Sequence, residues 1–99
     1  MEQHMIALEK GNDYRLRRAQ LGREIKAGEV KASEVLDSAV PEWLEQEVLG
    51  RFVRRLPRVG PSRMRKFLTS LNLRELKTLG GLTYRQRKLL ARELREIGQ

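Results

Sequence analysis

Residues that carry covalent or acid–base chemistry are scarce in this sequence. It has no cysteine and a single histidine, His4. Thiolate catalysis, disulfides and a thiolate zinc site are therefore out of reach. His4 lies near the N-terminus, and no serine has a recognisable base to activate it. Glu42, Glu45 and Glu47 gather in one short segment, but a glycosidase-like site needs two carboxylates opposed across a substrate. Their one-turn separation is the ordinary spacing of a solvated helix face. The expectation is a protein that is not an enzyme, with no metal and no cofactor.

Arginine and lysine are abundant, and they crowd around turns. Residues 1–50 carry 7 Lys+Arg against 10 Asp+Glu, and residues 51–99 carry 14 against 3, so the excess of +8 comes from the C-terminal half. Such a local excess attracts polyanions, of which nucleic acid is the commonest. An anionic membrane surface is the competitor, but it calls for a broad apolar face with aromatic residues among the cations. In "RRLPRVGPSRMRKFLTSLN", Arg54 to Asn72, the cations instead surround a Pro-x-Val-Gly-Pro turn and a helix start.

A helix N-terminus exposes unpaired N–H groups and about half a positive charge, which suits a phosphate oxygen whatever the base attached to it. Gly60 lets backbone approach closely, Ser62 and Arg63 add a hydroxyl and a guanidinium, and Arg58 guards the other side of the turn. A second unit repeats the logic. Gly80 and Gly81 permit close approach, Thr83 caps, and Arg85 sits in the first turn, with Lys88, Arg92 and Arg95 continuing along one face. Tyr84, one residue past Thr83, is placed to touch a sugar or to cover that helix start, and cover is the expectation. Two such sites at consecutive helix starts make a clamp on a nucleic-acid backbone. Plain capping accounts for the Gly, Pro and Thr, but not for the near absence of acids from this half.

The elements that must position these residues read as all-α. A long helix is expected from Gln3 to about Ala27, with Tyr14, Leu21 and Ile25 on one stripe. Gly11 and Gly22 weaken it, so its first residues are expected to fray. Arg15, Arg18 and Arg23 lie away from the stripe, with Asp13 and Glu24 as loose partners for Arg18. Gly28 stops the helix, and a short connector from about Ala32 to Ser38 buries Val35 and Leu36. From Pro41 the run "EWLEQEVLGRFVRRL" places Trp43, Leu44, Val48, Leu49, Phe52, Val53 and Leu56 at spacings of three and four, which predicts one core helix with Trp43 packed on it. Met64, Phe67, Leu68 and Leu71 give the next helix a buried face, ended by Asn72. Thr83 and Gln86 have capping-box spacing before a stripe of Leu90, Leu94 and Ile97. No segment approaches the roughly 20 apolar residues of a membrane span, so a soluble, unexported protein is expected.

From about Arg23 in "REIKAGEVKASEVL" to Ile97, this order of elements resembles the actinobacterial integration host factor family. Those are small basic nucleoid proteins whose C-terminal part is a helix-two-turns-helix module. The most specific match is Leu56-Pro57-x-Val59-Gly60 with Arg63. The resemblance implies a long N-terminal helix over residues 1–28 and a compact helical domain over 29–99, with short connecting helices and the module at about 52–98. It also implies binding of double-stranded DNA with little sequence preference, and bending or compaction of that DNA in support of site-specific recombination. A monomer on the nucleoid of a bacterial cytoplasm is expected, with recombination machinery as a further partner. The DNA-contacting set is expected to comprise Arg58, Val59, Gly60, Ser62, Arg63, Lys66, Gly80, Gly81, Thr83 and Arg85. Because the family uses its long helix against DNA, Arg15, Arg18 and Arg23 join them.

Two departures from the family stand out. Its usual Leu-Pro-Gly-Val-Gly has Arg58 in place of the first glycine here, which stiffens the turn and adds a cation. Its usual Gly-Leu-Gly reads Gly80-Gly81-Leu82, which shifts the N–H pattern of the second turn. The same module occurs in base-excision DNA glycosylases and in a small-subunit ribosomal protein family, so RNA is the alternative partner.

Overall fold

The computed structural model describes residues 2–99, with side chains from Gly11 onward. Among the described residues, five α-helices and two 3-10 turns build an all-α architecture. The first, α1 (Glu2–Lys26), passes through Gly11 and Gly22 without a break. The helix begins at Glu2 and not near Gly11, the expected start of its ordered part; the side chains before Gly11, His4 included, lie outside the described ones. Leu21 and Ile25 are buried. Tyr14 is half-buried, and its phenol pKa is raised, first by desolvation and then by the Glu42 carboxylate. Arg18 does not pair with Asp13 or Glu24; its Nη1 donates to the Trp43 carbonyl at 3.3 Å. The long helix is thus docked on the Glu42–Leu44 segment. Gly28, at φ +79, ends the helix run in the left-handed region that glycine enters without steric cost.

The short α2 (Ala32–Leu36) buries Ala32 and Leu36 and packs across the last helix. Val35 is only half-buried. The long core helix expected from Pro41 does not form. In its place stand a single 3-10 turn, Glu42–Leu44, a turn through Glu45 and Gln46 that leads to an extended Val48, and a short α3 (Leu49–Arg54). The reason is tertiary. Residues 45–50 pair their backbone with residues 75–80: Leu49 N–H donates to Lys77 O at 2.8 Å, Gly50 N–H to Glu75 O at 2.8 Å, Leu79 N–H to Glu47 O at 2.9 Å and Gly80 N–H to Glu45 O at 2.9 Å. A continuous helix would spend those groups on itself. The apolar residues of the run still reach the core, since Leu44, Leu49, Phe52, Val53 and Leu56 are all buried.

The remaining helices, α4 (Pro61–Ser70) and α5 (Tyr84–Glu96), follow the sequence closely. Met64 and Leu68 of α4 are buried, with Phe67 and Leu71 packed against them. Asn72 takes φ +57 just past α4, and Leu73 N–H returns to Leu68 O at 2.9 Å, the six-to-one bond of a Schellman stop. A 3-10 turn, Leu79–Gly81, leads to α5, whose Thr83–Gln86 capping box is complete. Leu90, Ala91 and Leu94 are buried, but Ile97 is 52% exposed. It lies past the end of α5, where Gly98 at φ +79 turns the chain so that Gln99 N–H reaches Leu94 O at 2.7 Å. Among the described residues, no helix is long and apolar enough to cross a membrane.

Candidate nucleic-acid interface

The first turn follows α3 directly. Val59 N–H donates to Leu56 O at 3.4 Å, so Leu56–Val59 is a β-turn with Pro57 and Arg58 in its central positions. Arg58 adopts φ +64. A positive φ at the second central position defines a type II turn, which normally carries glycine there. The family's first glycine therefore has a backbone reason, and an arginine here bears a cost of about 1 kcal/mol. Leu56 is buried and Val59 half-buried, so the turn is anchored from below while Arg58 points its charge into solvent.

Gly60 then caps α4 at φ −93, with no side-chain cap, and Pro61 occupies the first helical position. Nothing lies within 4 Å of where a Cβ on Gly60 would sit. Neither its φ nor its packing requires glycine, and the space beside it is open. Met64 N–H is the first to bond back, to Gly60 O at 3.0 Å. The N–H groups of Ser62 and Arg63 have no acceptor among the described residues, and the side chains of Ser62, Arg63 and Lys66 are exposed. Open backbone donors at Ser62 and Arg63 thus follow a bare glycine, and the exposed residues Arg58, Ser62, Arg63 and Lys66 flank it along the chain.

The second turn is built differently. A Cβ on Gly80 would stand 2.8 Å from Glu45 Cβ and 3.1 Å from Glu45 O, too close for any real contact. Gly80 is therefore required by packing on Glu45, and its N–H is consumed there. Gly81 N–H goes to Thr78, to its carbonyl at 3.1 Å and its Oγ1 at 3.2 Å. These two glycines are explained by internal packing, not by close approach of a ligand. What the second turn leaves open is the start of α5. Thr83 Oγ1 accepts from Gln86 N–H at 3.1 Å and Gln86 Oε1 accepts from Thr83 N–H at 3.0 Å, while Tyr84 N–H and Arg85 N–H have no acceptor among the described residues. Arg85 is exposed and makes no ion pair among the described residues.

The cations further along α5 serve the fold. Arg87 Nη1 donates to Leu36 O at 2.7 Å and Lys88 Nζ to Asp37 O at 2.8 Å, covering the carbonyl end of α2. Arg95 pairs with the Asp37 carboxylate. Arg92 lies 3.4 Å from Glu93. Tyr84 does not cover the helix start: it is 68% exposed, with Arg87 and Lys88 each 5.6 Å from its ring centroid.

On the long helix, Arg15 is exposed and Arg23 is exposed with a bond to Gln20 Oε1 at 2.7 Å. Arg23 sits beside Arg54 and Arg55 at the end of α3, whereas Arg18 turns toward Glu47 and Arg51. Glu47, expected on a solvated face, is only 4% exposed. Its two oxygens accept from Arg55 Nε, each at 3.1 Å, and Oε1 also accepts from Arg55 Nη2. Sequence reasoning missed this pair, because eight residues of separation is not a helix-neighbour spacing. The run of arginines before Leu56 was the available signal.

With this geometry in place, similarity to known proteins is informative. No family model matches the chain. It is 34% identical over 90 residues to the Integration host factor of Mycolicibacterium smegmatis, covering 90% of this chain and 86% of that protein. It is 35% identical over 90 residues to the Integration host factor of Mycobacterium tuberculosis, with the same coverage of 90% and 86%. A solved structure of sIHF bound to an 8bp palindromic DNA superposes with a TM-score of 0.77 at 24% identity, covering 87% of this chain and 98% of that one. The fold is therefore shared with sIHF, and the sequence match over nine-tenths of the chain places the protein in the integration host factor family.

Proposed function

We propose that the protein is an architectural DNA-binding protein that grips the backbone of a duplex with little reading of its bases. The observation that carries this reading is the first turn. Gly60 is unneeded by the fold, yet it borders the outward N–H groups of Ser62 and Arg63 and the charges of Arg58 and Arg63. Phosphate oxygens satisfy all of these at once, and they are the same on every sequence. The start of α5, with Thr83, Arg85 and the N–H groups of Tyr84 and Arg85, holds a second phosphate. Gly80 and Gly81 contribute by shaping that turn, Lys66 adds charge on α4, and Val59 seats the first turn on the core. Arg15, Arg18 and Arg23 extend the positive surface along α1.

The DNA-bound state of the sIHF structure supports the choice of partner. RNA has no observation in its favour, since Tyr84 is the one exposed aromatic ring among the described residues and a single-strand platform uses several. In this reading the chain acts as a monomer on the bacterial nucleoid, where curved DNA serves compaction and site-specific recombination. Bending follows when DNA that curves against the protein gains contacts that offset its elastic cost.

Replacing Arg63 with alanine tests the backbone grip. Affinity is expected to fall by similar factors on unrelated duplexes, and the slope of log K against log salt to become shallower by about 0.9, one phosphate contact. A selective loss for one base pair contradicts it.

A further inference from the structure

Between α1 and the C-terminal end of α3 lies a cleft of about 310 Å³, floored by Ala19 and Gly22 and walled by Arg23, Lys26, Arg54 and Arg55. No acid lines it. Arg55 is fixed in place from behind, because its Nε and Nη2 both donate to the buried Glu47 carboxylate. Its guanidinium lies across Gly22, where any Cβ would collide with Nη1. Gly22 is thus a glycine inside a helix, at a cost in helix propensity, so that this one arginine can cross.

The Arg55 side chain is 20% exposed, and Nη1 has no acceptor among the described residues. Three further cations share its cleft. Holding like charges together with an unused donor is unfavourable unless an anion joins them. Arg54 and Arg55 also lead directly into the Leu56–Val59 turn, so the cleft continues the surface of the first phosphate site.

The geometry points to this cleft as a further phosphate-binding site, filled by the phosphodiester backbone of the same duplex that the first turn grips. Glu47 and Gly22 are its positioning residues: one aims the Arg55 guanidinium and the other makes room for it. The inference rests on the DNA-binding reading above and adds Lys26, Arg54 and Arg55 to the contact surface. It also gives the C-terminal end of α1 a defined part in holding DNA against a curved protein surface.

The test is the double variant Lys26→Ala/Arg54→Ala in the full chain, titrated with duplex DNA over a salt range and read for bending by end-to-end energy transfer. The log–log slope is expected to become shallower by about 1.8, two phosphates at about 0.9 each, with the bend reduced and the thermal midpoint unchanged. Gly22→Ala, which displaces Arg55, is expected to make the slope shallower in the otherwise natural chain and shallower still in the double variant, where Arg55 is the remaining contact. Unchanged slope and bend in a double variant that folds, beside a natural chain that binds, overturn the cleft. A loss confined to the bridging of two duplexes, seen by light scattering, overturns the assignment to one duplex. Absence of salt-dependent binding by the natural chain overturns the DNA reading itself, which is a separate result.

Discussion

Arg58 and Gly60 sit two residues apart and have exchanged the roles their types suggest. The arginine occupies the left-handed position, φ +64, and the glycine an extended one, φ −93, that any residue adopts. Each choice disfavours the folded chain slightly, and on the proposed reading each serves an external anion. Arg58→Gly is therefore expected to stabilise the fold by about 0.5 kcal/mol, after allowing for the entropy of an added glycine, while removing one phosphate contact. Urea unfolding and a salt titration read the two effects separately, and a destabilised variant with intact affinity contradicts the argument. Gly60→Ser makes the converse case. Serine suits an N-cap better than glycine by a few tenths of a kcal/mol, but its side chain fills the bare approach and competes for the open N–H groups. Weaker DNA binding in a protein at least as stable is the expected result. The motif residues were legible in the sequence; the backbone angle that makes Arg58 costly was not, because only the folded turn defines which position it holds.

Among the elements, the paired segments 45–50 and 75–80 matter most. They tie the start of the module to its second turn through four backbone bonds and through the contact of Gly80 with Glu45. A Cβ at position 80 meets the Cβ, the carbonyl and the Cγ of Glu45, the first two of which cannot swing away, so Gly80→Ala is expected to lower stability by roughly 1–3 kcal/mol. Chemical denaturation measures it, and a neutral result means that the two segments part easily. This pairing is also where helical periodicity misled. Leu44, Leu49, Phe52, Val53 and Leu56 are buried either way, so their spacing could not distinguish a continuous helix from a broken one. Where capping chemistry was local, as at Gly28, Asn72 and the Thr83–Gln86 box, the sequence was sufficient, since the signal and the structure lie within a few residues of each other. The Glu47–Arg55 pair and its seat on Gly22 depend on three separate elements, and no local pattern announces them.

Over the whole molecule, the two halves differ in charge and also in how that charge is used. Acids of the N-terminal half are partly spent on cations of the same chain, Glu47 on Arg55 in the interior, and Asp37 on Arg95 and Asp13 on Arg17 at the surface. The cations around the first turn and at Arg85 have no such partners among the described residues, which leaves their field directed outward. That division is the physical content of the central claim, a duplex held by its phosphates. The most direct measurement is the affinity of the purified chain for two unrelated DNA duplexes and one RNA duplex over a range of salt concentrations. Near-equal affinity for both DNAs, weaker binding of RNA and a steep slope worth a handful of phosphate contacts are expected. A flat salt response, a strong preference between the two DNAs, or tighter binding of RNA would contradict the account.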